Sequence, residues 1–324
     1  MSVTQAKILK ELIADGRNSP DKIAKKLGLS KESVKKDITK MEKKGIITGA
    51  TTHINYRLFG YKAVAHIQIN VDSHQADQLL EYLQKMPEVY SAYSEWIKGN
   101  VEVVATLKTL EQLSEIKDSV KRNFSVLEMK TAIWTDVKEM NDNLAIIPEI
   151  RMKGFAGTNK KESLQNKSGS RDIVIDQIDQ KIADKLAENG RISMGTLGKE
   201  VGISSETAKR RYEKLKENGV LKVTVQINPY KIGYRALCIF FTVTDEKSES
   251  IIEKIGDIPD IISVMKTTGD YDLQIYAMVQ DIEKLLAIQK EIGKVPGIIR
   301  SDVKISGLGG FKKWPSPRQY ISTF

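Results

Sequence analysis

The sequence predicts an α+β chain built as two tandem units of one plan, each a basic helical segment followed by a small sheet domain. Three observations predict it. Short motifs recur at a separation of about 174 residues, the hydrophobic periodicity switches from helical to alternating twice, and positive charge collects where the periodicity is helical.

The recurrence is visible in four places near the amino-terminal end of each unit. Gly16-Arg17 returns as Gly190-Arg191, Leu27-Gly28-Leu29-Ser30 as Val201-Gly202-Ile203-Ser204, Gly45-Ile46-Ile47 as Gly219-Val220-Leu221, and Phe59-Gly60-Tyr61 as Ile232-Gly233-Tyr234. Further on Pro87 matches Pro259 and Gly99 matches Gly269, with the offset shrinking to about 170 as small loop deletions would make it. Between the units, 153–171 reads KGFAGTNKKESLQNKSGSR, too polar to be ordered by apolar burial, so 139–172 is expected to be a linker.

Charge follows the same division. Residues 1–60 carry 13 Lys and Arg against 6 Asp and Glu, and 149–171 and 172–235 are also net positive, while the rest of the +9 chain is net acidic. Localised positive charge points to a polyanion as partner. The single cysteine, Cys238, excludes a disulfide within the chain and suits a reducing cytoplasm. A polar, Lys-bearing start gives no signal peptide, and no apolar run approaches the roughly 18 residues of a membrane span, so no membrane partner is expected.

In the first unit, Ile8, Leu9, Leu12 and Ile13 recur at helical spacing, and Ile23 with Leu27 marks a second, shorter helix started by Ser19-Pro20 and ended at Gly28. Ser30 caps a third helix with Val34, Ile38 and Met41 on one face, which ends before Gly45. The second unit repeats the plan with Ile178, Ile182 and Leu186, then Leu197 and Val201, then Ala208, Tyr212 and Leu215. Two helices joined by a short turn, the second of them basic, form the helix-turn-helix pattern, whose last helix fits the DNA major groove. Its exposed positions are Lys31, Ser33, Lys35, Lys36, Thr39 and Lys40 in one unit and Ser205, Thr207, Lys209, Arg210 and Lys214 in the other, with Arg211 near the helical face as a further DNA-binding candidate. Lys and Arg neutralise phosphates, while Ser, Thr and Arg can read base edges. Double-stranded DNA is the expected partner. GIITGATTHIN and GVLKVTVQIN then have the β-branched content of a short strand pair, or wing, completing winged helix-turn-helix domains at 1–58 and 173–231.

From Lys62 the pattern alternates. AVAHIQINV, a helix at 76–86, extended runs at 89–97 and 101–107, a helix near 110–122 and a strand near 126–137 give the order βαββαβ, the ferredoxin-like plan. RALCIFFTVT through IIRSDVKIS repeats it, so sheet domains are expected at 61–138 and 234–307, with a tail at 308–324. Such a sheet leaves one face free of helices, and burying that face against another sheet predicts pairing of these sheet domains with each other, as a homo-oligomer or as an intramolecular pseudo-dimer.

The strings LGLSKESVKKDITKMEKKGIITG and VGISSETAKRRYEKLKENGVLK, the following LFGYKA and KIGYRA, and TGDYDLQIYAMV with KVPGIIRSDVKI resemble the Lrp/AsnC family of regulators over nearly the whole chain, twice. The resemblance implies a winged helix-turn-helix joined to an effector-binding (RAM) domain, with a small effector, commonly an amino acid, bound near the turn between the second and third strands. Carried over, that turn is Gly269, Asp270 and Asp272, with Gly99, Asn100 and Glu102 as the first unit's counterpart. The first unit lacks a carboxylate at the position of Asp270, which removes a partner for a ligand ammonium. The recognition helices differ as well, Asp37 standing where the second unit has Arg211, so a fused pseudo-dimer would read asymmetric sites.

Two other readings compete. Sirohaem decarboxylases resemble the same architecture, but their chemistry needs His and Arg in a tetrapyrrole cleft, and only His53, His66 and His74 are present, His53 reading as an exposed wing residue. An effector-binding protein without DNA binding would have no use for two basic helices. There is no phosphate-binding loop, no zinc-spaced Cys/His set and no Ser/His/Asp arrangement, so no cofactor, metal or catalytic residue is expected.

Overall fold

The computed structural model describes residues 1–94, 99–139, 174–245 and 249–307. Except for Glu139, the expected linker falls outside them, as do the tail, Trp96 and Trp314.

The first half of the chain runs α1 (Val3–Ala14), α2 (Pro20–Leu27), α3 (Lys31–Lys43), β1 (Ile47–Ile54), β2 (Ala63–Val71), α4 (Ala76–Leu83), β3 (Val89–Ser94), β4 (Asn100–Leu107), α5 (Glu111–Asn123) and β5 (Val126–Glu139). The second half has the same order: α6 (Gln177–Glu188), α7 (Met194–Val201), α8 (Ser205–Glu217), β6 (Leu221–Ile227), β7 (Ala236–Thr244), α9 (Glu249–Gly256), β8 (Ile261–Thr268), β9 (Leu273–Val279), α10 (Ile282–Gly293) and β10 (Ile298–Gly307). Two compact bodies form, and they are not the two sequence repeats. One gathers the helical segments, 1–59 with 174–228, and the other the sheet segments, 60–139 with 229–307.

In the helical body, Ile8, Leu9 and Leu12 of α1 and Val34 and Met41 of α3 are fully buried, as are Ile182 and Leu186 of α6 and Ala208 of α8. The two strands expected as wings do not fold back into hairpins. Each is a single run with no tight-turn dipeptide inside it, and its partner is the other: β1 pairs antiparallel with β6, placing Thr51 opposite Thr224 and His53 opposite Lys222.

The recurrent Gly-Arg pairs explain themselves here. Gly16 N–H donates to the carbonyl of Val223 and Gly190 N–H to that of Ala50, each reaching the other half's strand. A Cβ on Gly16 would lie 2.7 Å from the carbonyl carbon of Thr224, and one on Gly190 2.8 Å from the oxygen of Thr51, so only glycine permits the approach. The Arg17 guanidinium donates to the carbonyls of Gly190 (2.7 Å) and Ile192 (2.9 Å), and Arg191 Nε returns the contact to Gly16 (2.7 Å). Thr51 Oγ1 donates to Ala187 and Thr224 Oγ1 to Ile13, completing an interlock that reads the same from either half.

In the sheet body, each half makes a four-stranded antiparallel sheet, and β5 pairs with β8 to join them in the order β10-β7-β9-β8-β5-β2-β4-β3. Alternation sorts the faces. Ala65, Ile67 and Ile69 pack with α4 and α5 residues Leu79, Leu83, Ile116 and Val120, and Cys238, Phe240 and Ile275 pack with Ile252, Ile255 and Ile288 of α9 and α10. The alternate residues, on the helix-free faces, include Tyr93, Ile239, Phe241, Tyr271 and Tyr276 in one cluster drawn from both halves. The two ends of the sheet approach each other, Ser306 Oγ of β10 donating to the carbonyl of Ser94 in β3 at 2.9 Å.

Candidate nucleic-acid interface and effector domain

The turn before each candidate recognition helix is built from three residues. Gly28 and Gly202 take φ of 66° and 78°, the left-handed conformation that ends α2 and α7 with their N–H groups bonded back to Ala24 and Gly198. Two residues later Ser30 accepts the N–H of Ser33 and Ser204 that of Thr207, starting α3 and α8. Burial of Val34 and Met41 on one side, and of Ala208, Tyr212 and Leu215 on the other, fixes the outward face of each helix. Lys31, Lys35, Lys36, Thr39 and Lys40 are exposed on α3, and Ser205, Lys209, Arg210 and Lys214 on α8, while Ser33 and Thr207 are half-buried and Thr207 Oγ1 accepts from Ser204 Oγ.

Arg211 is placed differently from its exposed neighbours. Its Nη1 donates to Asp176 at 2.7 Å and to Asp179 at 2.8 Å, so the guanidinium ties α8 to the start of α6. The hydrogen bonds to these carboxylates raise the arginine pKa. The corresponding position in the first half is Asp37, which accepts from Gln5 Nε2 at 2.9 Å across the matching α1–α3 seam. Residue for residue, Asp179–Arg211 and Gln5–Asp37 are one contact with its polarity reversed.

At the expected effector turns, Gly269 and Gly99 have φ of 115° and 100°. Asp270 is exposed, whereas Asp272 Oδ2 accepts the backbone N–H of Thr244 at 2.9 Å and braces the turn against β7. Asn100 Oδ1 accepts from Asn70 Nδ2 on the neighbouring strand. The strand register corrects the sequence alignment of these turns. Ala63 faces Leu107 and Ala236 faces Val279, so Asn100 is equivalent to Asp272 and Glu102 to Gln274, two residues from the motif match. Glu102 is consequently not a turn residue but lies inside the sheet body, 1% exposed. His53, expected on an exposed wing, is 5% exposed in β1, where burial and the facing Lys222 push its imidazole down to about 3.

Comparisons with known proteins meet this geometry at three places. A model described as winged helix-turn-helix DNA-binding matches residues 1–48, the AsnC-type helix-turn-helix domain matches 175–216, and the Lrp/AsnC ligand binding domain matches 237–306. The chain is 31% identical over 127 residues to the HTH-type transcriptional regulator FL11 of Pyrococcus furiosus, an alignment spanning 39% of this chain and 84% of FL11. The chain belongs to the Lrp/AsnC family. It is also 33% identical over 114 residues to the HTH-type transcriptional regulator Ptr1 of Methanocaldococcus jannaschii, covering 35% of this chain and 77% of that one. Among solved structures, the siroheme decarboxylase NirDL is similar over 99% of this chain and 94% of its own, with a TM-score of 0.60 and 16% identity, a likeness of fold.

Sequence reasoning missed one feature of this Lrp/AsnC chain, a buried polar cluster on the helix-free faces of the sheet body. Glu102 accepts from Lys304 Nζ at 2.9 Å and lies 2.8 Å from His66 Nε2. The His66 ring stacks on Phe241, its Nδ1 meets Gln274 Nε2 at 3.1 Å, and Gln274 Oε1 accepts from the Trp134 indole at 2.9 Å. His66 and Gln274 are 1% and 0% exposed. The signal available in the sequence was a His and a Glu at positions where alternation leaves the helix side, in strands otherwise rich in Val and Ile. Among the described residues no group of His, Cys, Asp and Glu could hold a metal ion, and no helix is long and apolar enough to cross a membrane.

Proposed function

We propose that this chain is a tandem-duplicated Lrp/AsnC transcriptional regulator that binds double-stranded DNA through α3 and α8 and responds to a small effector, an amino acid being the leading class. One observation carries the reading: two Ser-capped helices present rows of exposed Lys and Arg from a turn of helix-turn-helix geometry. Lys31, Lys35, Lys36 and Lys40 on α3, and Lys209, Arg210 and Lys214 on α8, are the groups to neutralise phosphates, with Ser33, Thr39, Ser205, Thr207 and Arg210 in reach of base edges. Arg211 acts as a positioning residue, because its guanidinium is held by Asp176 and Asp179. The paired halves form a pseudo-dimer whose two reading helices differ, so the operator is composite, with two unlike half-sites.

For the effector, the turn at Gly269, Asp270 and Asp272 is the better candidate. Asp270 is exposed and can meet a ligand ammonium, while Asp272 holds the turn in shape. In the first-half turn the counterpart of Asp272 is Asn100, an amide bonded to Asn70.

A gel shift with genomic fragments at low and moderate salt tests the reading. Affinity should fall steeply as salt rises, with a log–log slope of roughly −0.9 for each phosphate neutralised. Failure of the chain to retard any duplex in dilute buffer overturns it. The decarboxylase reading has a separate test, incubation with sirohaem, in which loss of two carboxylates from the macrocycle would replace this assignment. Against it stands the distribution of the histidines: His53 is buried in β1, His66 is buried in the sheet interior and His74 is exposed.

A further inference from the structure

We propose that charged residues within each body make the first half of this chain complementary to the second half and incompatible with itself, so that only unlike halves pair. The partner fitted by each surface is therefore the other half, and two like halves from separate chains are rejected.

In the helical body the first half brings Asp15 and Glu42, and the second brings Lys216 and Arg191. Lys216 Nζ donates to Asp15 at 2.8 Å, and Arg191 Nη1 lies 3.5 Å from Glu42. Burial opposes ionisation of Asp15, but the Lys216 ammonium and the Arg17 N–H outweigh it and hold the carboxyl below its ordinary range. Position for position, Asp15 corresponds to Asn189 and Glu42 to Lys216. Two first halves would set Asp15 against Glu42 twice, exchanging the Asp15–Lys216 ion pair for like charge on both sides, with an Arg17–Glu42 contact on each side in place of the Arg191–Glu42 one. Two second halves would set Lys216 against Asn189 and Arg191.

The sheet body repeats the logic with different residues. By strand register, Glu102 corresponds to Gln274, His66 to Ile239 and Lys304 to Ala132. Two first halves would bury two Glu102 carboxylates opposite Ala132, each keeping its own half's His66 but losing the lysine ammonium. Two second halves would set two Lys304 side chains opposite Gln274, with no carboxylate. Removing the counter-charge from a buried carboxylate is strongly destabilising, and rejecting a wrong partner by unpaired charge is how interfaces gain specificity. In the pairing observed, Glu102 has Lys304, and Gln274 stands between His66 and Trp134 as an uncharged bridge. Neither body needs the other for this argument, and both give the same answer.

The test begins with the full chain carrying a specific protease site within 153–171. The folded protein is cut, mixed with an isotope-labelled cut sample, left to exchange and weighed by native mass spectrometry. Every assembly should contain amino-terminal and carboxy-terminal halves in equal number, and pairs of like halves appearing beside them overturn the proposal. In the uncut chain, Asp15→Lys and Lys216→Asp should each lower the urea midpoint, and the double variant should recover most of the loss. The same should hold for Lys304→Met against the Glu102→Gln/Lys304→Met double. Losses that simply add in both doubles would equally overturn the proposal.

Discussion

At the scale of single residues, the chain repays attention to where a small or neutral group is required. Adding a methyl group at Gly16 or Gly190 drives a Cβ to within 2.8 Å of backbone atoms of the partner strand. Gly16→Ala and Gly190→Ala are each expected to cost about 1–3 kcal/mol, measured as a lower denaturation midpoint. His53 makes a prediction about pH. Its folded pKa of about 3 lies below the ordinary value of 6.5, so the unfolded chain binds the extra proton between these values. Stability contributed by the neutral imidazole is therefore present above pH 6.5 and is lost as pH falls toward 3, at up to about 1.4 kcal/mol per pH unit. A His53→Gln variant should show a flatter stability profile over that window, read by urea titration at several pH values; an unchanged slope counts against it. The Gly-Arg pairs were legible in the sequence as a repeat, but their purpose was not, because a motif of two residues does not say which backbone it must approach.

At the scale of elements, the helices were legible, although the one expected at 76–86 ends at Leu83. Ser19-Pro20, Gly28 and Ser30 are local signals, each satisfied by hydrogen bonds within four residues, so no distant partner had to be known. The strands were harder. GIITGATTHIN reads as a wing, yet its hydrogen bonds go to a segment more than 160 residues away, and pairing at that range leaves no trace in local pattern. The effector turns show the same weakness, since the motif match set Glu102 beside Asp272 while the ladder sets it beside Gln274. Between the two recognition helices the chemistry differs. Arg210 stands exposed where α3 has Lys36, and arginine can grip a guanine edge with two hydrogen bonds where lysine supplies a point charge. Arg210→Ala should cost about 1–3 kcal/mol and relax base preference in one half-site, whereas Lys36→Ala should weaken all sequences alike and reduce the salt slope by about 1. Competition binding with single-base operator variants separates the two. Arg211→Ala should instead lower the melting temperature of the helical body, because Asp179 is 4% exposed and loses its cation.

At the scale of the whole molecule, the two repeats seen in the sequence are not the two bodies of the fold. Like segments associate with like, helical with helical and sheet with sheet. The sequence carried the reason for the second association, a helix-free sheet face in each half, but not the choice of partner, which depends on side chains such as Glu102 and Lys304 that meet only in three dimensions. Joined halves with unlike reading helices should select DNA sites without two-fold symmetry. Selection from random duplexes is expected to return a directional consensus with two different arms, and recovery of perfect palindromes alone would refute the composite operator.

The ribbon of β1 and β6 joins two strands of a single polypeptide. Its formation is governed by tether length rather than by how many molecules a cell holds. Dilution that would dissociate a two-chain regulator leaves this ribbon closed. A handful of molecules per genome would thus keep the two proposed reading helices together, with no subunit encounter needed to join them.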